Sequence, residues 1–380
     1  MGSAAGPGVA ELPQFKGRPG WEFTDISGLD LAAYEAVTGP ESAEPAETLF
    51  EVVGGELPPG VVVTSISEAP PELLGRVVGG DEVFTLLNDN AEYRAGAFVY
   101  VPRGVAVEQP ISLSTVQAQT GTLLNQRTVI VLEEGAQAEV WEQYLSGSAD
   151  LDGVFNVVTE LSVGADAHLR YVCGQALSEK SWIFGAQRAE LGRDASLDWV
   201  ALGFGSARGR VRMQTRLGGE GAEARVTGAY ATHGRQHIDF DTTQEHAAPN
   251  TTSDLAFRGV LAARSTAVWK GNIIVDPGAQ KTDAFQESRN LLISKRAHAD
   301  AIPGLEIQAN DVRCTHAAAV AQVDPEQLFY LRSHGLDEEV AKRLVIEGFL
   351  AALVERFEQG PVRERLAEAL ERRLALVLAG

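Results

Sequence analysis

Gly135-Ala-Gln-Ala138, Gly164-Ala-Asp-Ala167, Gly192-Arg-Asp-Ala195 and Gly221-Ala-Glu-Ala224 are four versions of one turn, set 29, 28 and 29 residues apart. The series extends both ways. Gly278-Ala-Gln280 lies two periods further on, with the intermediate turn near Pro249-Asn250, and Gly104-Val-Ala106 comes 31 residues before the first. Between turns the chain runs in short alternating or β-branched stretches, the pattern of strands. A fixed period of this size marks stacked repeats: one unit cannot cover its own apolar face, and stacking buries a continuous core. Each repeat is expected to hold two or three strands of about five residues. Glycine at the turn admits φ > 0, and alanine beside it suits closely stacked coils. The expected core is a stacked β-helix over about residues 96–322, weighed against a large antiparallel β-sandwich with coincidental turn spacing.

The flanks read differently. Residues 1–95 form a mixed region rich in Pro and Gly, with Gly17-Arg-Pro-Gly20 followed by Trp21-Glu-Phe-Thr-Asp25. Leu57-Pro-Pro-Gly60 leads into a strand at Val61-Val-Val63, and Pro71-Glu-Leu-Leu74 opens a short helix. Residues 323–380 read as a helical domain. Asp324 can cap, Pro325 suits the first helical position, and Gln327 completes a capping-box spacing. Gly335 ends that helix. A second begins after Asp337, with Val340, Leu344, Val345, Phe349, Leu350 and Leu353 at helical spacing. Gly360-Pro361 breaks it, and a third carries Leu366, Leu370 and Leu374 along one stripe. Two readings of this apolar surface stay open: a docking face on which Leu344, Phe349, Leu350 and Leu353 meet a partner, or helices folded back on the stack.

Composition narrows the function. With 380 residues and 44% hydrophobic content the chain can bury a full core. Its formal charge of −20 repels phosphate backbones and anionic lipid, which argues against nucleic-acid and membrane-surface roles. Two cysteines cannot make a disulfide framework and suit a reducing compartment. Met1 to Pro13 has neither a basic n-region nor an apolar h-region, and no stretch approaches the ~20 apolar residues of a membrane span. A soluble, cytoplasmic protein is expected. The sequence holds no P-loop, no Gly-x-Ser-x-Gly elbow, no His-Glu-x-x-His and no Cys-x-x-Cys, so no catalytic residue is assigned. A polysaccharide-active β-helix enzyme is the alternative from another class, disfavoured by the missing export signal and the few aromatics.

The clearest chemical constellation is Asp311-Val-Arg-Cys314-Thr-His316. On a strand, Cys314 and His316 point to one face. A thiol and an imidazole together make a soft pair suited to iron or zinc, and the imidazole is expected to promote the thiolate. Two ligands do not hold an iron–sulfur cluster, which takes about four, mostly Cys, so a cluster or iron here would be transient and shared with another chain. The competing reading is a small buried core cysteine. Cys173 reads as core. His233 and His237 are not a helical metal pair. His246 reads as a surface residue and His334 as a helix cap. His298 lies 18 positions before His316, close enough in a stack to join it.

Several stretches resemble the SufB/SufD family of iron–sulfur cluster assembly proteins. They are Gly278-Ala-Gln-Lys-Thr-Asp-Ala-Phe-Gln-Glu-Ser-Arg-Asn-Leu-Leu292, Pro303-Gly-Leu-Glu-Ile307, Asp311–Ala317, Asp324–Arg332, Gly335–Leu350 and, upstream, Gly96–Gly104 and Trp21–Asp25. The resemblance implies a right-handed parallel β-helix between helical ends. It implies pairing through the end of the β-helix, with a SufB-like chain or a second copy, and a SufC-like ATPase docked on the C-terminal helices. It is similar to the SufD branch: His316-Ala317 stands where SufB-like chains tend to carry His-Glu, and Ala297 where they place a cysteine. A SufD-like chain would be a non-catalytic subunit of the SufBCD complex, with Cys314 and His316 near the subunit interface helping assemble a cluster or admit iron. A homodimeric paralogue without a cluster role is the remaining alternative.

Overall fold

The computed structural model describes residues 21–51, 54–80 and 82–379. Met1–Pro13 and Gly17–Gly20 lie outside the described residues. The described strands form a ten-stranded sheet A and an eight-stranded sheet B, and successive strands of the repeat alternate between the two. Neighbours within a sheet run parallel, apart from Val62–Ser65, which pairs antiparallel with Ala97–Val101. The result is a parallel β-helix of about eight coils. Each full coil supplies one strand to each sheet, most of 8 to 11 residues, not several of five. The coil is flat, with turns only at its two edges, so nothing interrupts a strand midway. Alternate residues face the lumen, where Tyr171, Trp199, Phe257 and Trp269 are fully buried.

One turn column explains the repeat and corrects its register. Gly104, Gly135, Asp166, Asp194, Gly221, Asn250 and Lys281 all adopt φ between 52 and 73°. Each donates its N–H to a carbonyl of the next coil, from Gly104 to Glu134 O through to Lys281 to Asp311 O, at 2.5 to 3.3 Å. Left-handed backbone therefore falls on Gly135 and Gly221 as expected, but on Asp166 and Asp194 in the two coils between. Gly164 and Gly192 are glycine for another reason. A Cβ on Gly164 would lie 2.8 Å from Leu132 O, and one on Gly192 2.9 Å from Ala165 N.

The N-terminal region lies against sheet A. Trp21 packs with Phe84 and Phe184, and the Thr24 hydroxyl donates to Asp239 at 2.5 Å. The expected helix after Pro71 is a single 3-10 turn, Pro71–Leu73. Helix α1 (Val83–Asp89) is tied to sheet A through its last residue: Asp89 pairs at 2.6 Å with Arg127, which also holds the buried Glu160 at 2.6 Å. At the other end come α2 (Pro325–Ser333), α3 (Glu338–Val354) and α4 (Pro361–Ala379). Asp324 caps α2 by accepting the Glu326 N–H at 2.9 Å, without the reciprocal Gln327 bond of a full capping box. Helices α3 and α4 lie on the outer face of sheet B: Leu350, Leu353, Leu366, Leu370 and Leu374 join one core with Val200, Leu202 and Val260. Burying each such side chain contributes about 1.5–3 kcal/mol. Arg373 of α4, itself buried, donates to Ala231 O at 2.9 Å and Gln236 Oε1 at 2.8 Å. No helix among the described residues is long and apolar enough to cross a membrane.

Candidate functional site

The β-helix is left open at its C-terminal end. His298–Ile307 ends sheet A and Arg313–Gln322 ends sheet B, and among the described residues no strand pairs with their outer edges. Residues that would be lumen core in any earlier coil are exposed here: Leu305 is 37% exposed, Ile307 42% and Val320 44%. Cys314 and His316 belong to this last coil. Cys314 stacks over Ala284 and His316 over Gln286, so strand alternation puts both on the lumen side, as the sequence implies.

Their chemistry differs from expectation in one respect. Cys314 is half-buried and packs near Ala284 and Ala309. Burial, then the negative charge of Asp283, pushes its thiol up, away from the thiolate. Asp283 sits one coil back and is itself held by Arg313, which draws its carboxyl down. His316 is exposed and makes no hydrogen bond with the described residues. His298 does not join the pair. It projects from the outer face of sheet A beside Asp300 at 3.2 Å. Ala297 is buried at the turn before that strand. Among the described residues no group of three or more His, Cys, Asp or Glu side chains is placed to hold a metal ion. Cys314 and His316 are two donors on an open edge, not a closed site.

Residues 114–349 match the family described as SUF system FeS cluster assembly, SufBD core domain. The chain belongs to the SufBD family. It is 34% identical over 281 residues to the iron–sulfur cluster assembly protein SufD of Bacillus subtilis, covering 73% of this chain and 64% of that protein, so the alignment spans under two thirds of that relative. A SufBD family protein of Mycobacterium leprae is 30% identical over 294 residues, 75% of this chain and 74% of that one. SufD of Escherichia coli is 27% identical over 372 residues, 93% and 88% of the two chains.

In this SufBD-family chain the apolar stripe of α3 is divided. Leu350 and Leu353 are buried on sheet B and are not available to a partner, because the stack itself covers them. Phe349 is partly buried, with the Arg258 guanidinium 5.1 Å above its ring. Leu344 remains 45% exposed, as does Val340. The larger exposed apolar groups are on α2: Phe329 is 75% exposed and Tyr330 62%. Their signal was an aromatic pair on a helix whose pattern shows no apolar stripe for them to join. The remaining histidines are structural. His246, expected at the surface, is fully buried because it faces the lumen, and it bonds Thr251 at 2.8 Å and Ser253 at 2.9 Å. Burial lowers it to about 4. His237 bonds Thr24 and Thr266, His233 reaches Glu179, and His334 caps α2 on Tyr330 O. Cys173 is buried core, its thiol pushed up to about 12 by desolvation.

Proposed function

We propose that this protein acts as a SufD-like, non-catalytic subunit of a SufBCD-type assembly complex. The open end of the β-helix is where a SufB-like chain, or a second copy, covers the last coil. The observation that carries this reading is the coincidence, on that coil, of unpaired strand edges, exposed lumen residues and the Cys314–His316 pair. A long unpaired edge invites pairing with another chain. Two donors leave a cluster or iron ion two ligands short, and a facing chain supplies the rest. The cargo is transient and shared, and the neutral thiol of Cys314 must lose its proton on binding it. A SufC-like ATPase fits the exposed apolar groups of α2 and α3, Phe329, Tyr330, Val340 and Leu344, in the cytoplasm. ATP hydrolysis belongs to that partner, since this chain has no P-loop.

Three experiments test this. A tagged chain should co-purify with a SufB-like chain and a SufC-like ATPase. Phe329→Ser/Leu344→Asp should release the ATPase and keep the other chain. Cys314→Ala/His316→Ala should leave assembly intact and impair cluster maturation in cells. Normal maturation in that double variant would remove the site assignment. Anaerobic iron–sulfide reconstitution without any charge-transfer absorbance in the assembled complex would favour a structural paralogue.

A further inference from the structure

A glutamine lies buried in the lumen directly beneath the open end. Gln286 is 0% exposed and pairs in register with His316, facing the same side. Its Nε2 donates across the lumen to Gly271 O at 3.3 Å and Gly304 O at 3.1 Å. One sheet B side chain thus ties together the last two strands of sheet A. Gly271 makes the room: a Cβ there would lie 2.7 Å from Gln286 Oε1 and 2.2 Å from the Trp269 ring.

With Nε2 committed to two carbonyls, Oε1 is fixed as the accepting end, and it has no donor. A buried unpaired acceptor costs about 1–3 kcal/mol. Trp269 Nε1 is also unpartnered, within a fully buried indole whose Cζ2–Cη2 edge faces Gly271. The imidazole of His316 is exposed and one strand away, roughly 4.8 Å along the sheet. A neutral imidazole has one N–H to donate and one lone pair to offer.

We propose that Gln286 is a positioning residue for His316: when a second chain covers the open end, one imidazole nitrogen donates its N–H to Gln286 Oε1 and the other is presented to the metal. The inference rests on reading Cys314 and His316 as metal ligands. It gives the orphaned oxygen its donor. It also gives an exposed imidazole without a hydrogen-bond partner among the described residues a fixed tautomer. Loss of such a contact behind a ligating histidine costs typically 10–100-fold in metal affinity.

The test uses the full chain in its assembled complex, titrated with Co2+ alone and followed by absorbance. Gln286→Met should weaken Co2+ binding by about 10–100-fold. In the His316→Ala background it should cause no further loss, because it acts through that ring. Selective 15N-histidine spectra should show one His316 tautomer in the parent protein and a mixture in Gln286→Met. Unchanged affinity in Gln286→Met overturns the proposal. So does an equal loss with and without His316, which would mean general damage to the last coil. If His316→Ala itself leaves Co2+ affinity unchanged, the metal reading fails separately. The tautomer spectra then decide the Gln286 contact: no change in Gln286→Met overturns it.

Discussion

Glu160→Ala should loosen the N-terminal region while the β-helix stays folded. Glu160 is 1% exposed and sits on the outer face of sheet A. It accepts Arg127 Nε at 2.9 Å and Nη2 at 2.6 Å. It also accepts the backbone N–H groups of Gly75, Val77 and Val78 at 2.9, 2.8 and 3.2 Å. The substitution leaves the buried guanidinium with Asp89 at 2.6 Å and longer contacts to Asn88 Oδ1 at 3.3 Å and Val78 O at 3.4 Å, and it frees three backbone donors. Breaking a buried pair from one side costs about 3–5 kcal/mol. At ~1.4 kcal/mol per decade that is roughly a 10²- to 10³·⁵-fold change in opening. Stacked coils contact only their neighbours, so the cost falls on residues 75–94 and not on distant coils. Hydrogen-exchange mass spectrometry reads this directly: protection of 75–94 collapses while 237–292 is unchanged. Arg127→Met should cost less, because Glu160 keeps its three backbone donors. A loss of protection under tenfold, or a larger effect from Arg127→Met than from Glu160→Ala, would refute the reasoning.

Three further outcomes are expected. Leu353→Ala, in the core between α3 and sheet B, should cost about 2–5 kcal/mol in thermal or urea unfolding, whereas the exposed Leu344→Ala should stay within about 0.5 kcal/mol. Gly185→Ala should abolish soluble expression: φ is 144°, and a Cβ would lie 1.8 Å from Val157 O, an immovable backbone atom. Asp239 is pushed up to about 7 by desolvation, although Arg210 and Thr24 oppose this. Its folded value lies above its unfolded one, so its contribution is greatest below about pH 4 and is lost as pH rises to about 7. The melting temperature between pH 5 and 7.5 should therefore fall less steeply in Asp239→Asn. An identical slope would show that Asp239 does not carry the effect.

The stack was legible because its turns repeat glycine and alanine at a fixed spacing. Its true register was not, since the left-handed position is filled in turn by Gly, Asp, Asn and Lys281, and only the glycines announce themselves. Asp and Asn tolerate that region through their short polar side chains, and a lysine there leaves no composition signal. Strand length was misread for a similar reason: small residues within a strand look like breaks, yet here they sit mid-strand against the adjacent strand, as Gly185 does over Val157 O and Gly228 against the Phe257 ring. At the open end, a period of two placed Cys314 and His316 on one face correctly. The state of the thiol was out of reach, because Asp283 arrives from the previous coil, 31 residues earlier. Helical spacing likewise identified the stripe containing Leu344, Leu350 and Leu353, but periodicity cannot say which part of a stripe the same chain covers.

The column of left-handed turns has a consequence for how such a chain can change length. Every residue in it passes its N–H to the next coil, so the column works as a ruler with one mark per coil. Deleting one residue inside a coil shifts the strand beyond it by one position and turns its lumen face outward. Adding or removing a whole coil of about thirty residues leaves every remaining contact as it was. Length in this architecture is quantised, and variants that differ by one coil should fold where those that differ by a single strand residue fail.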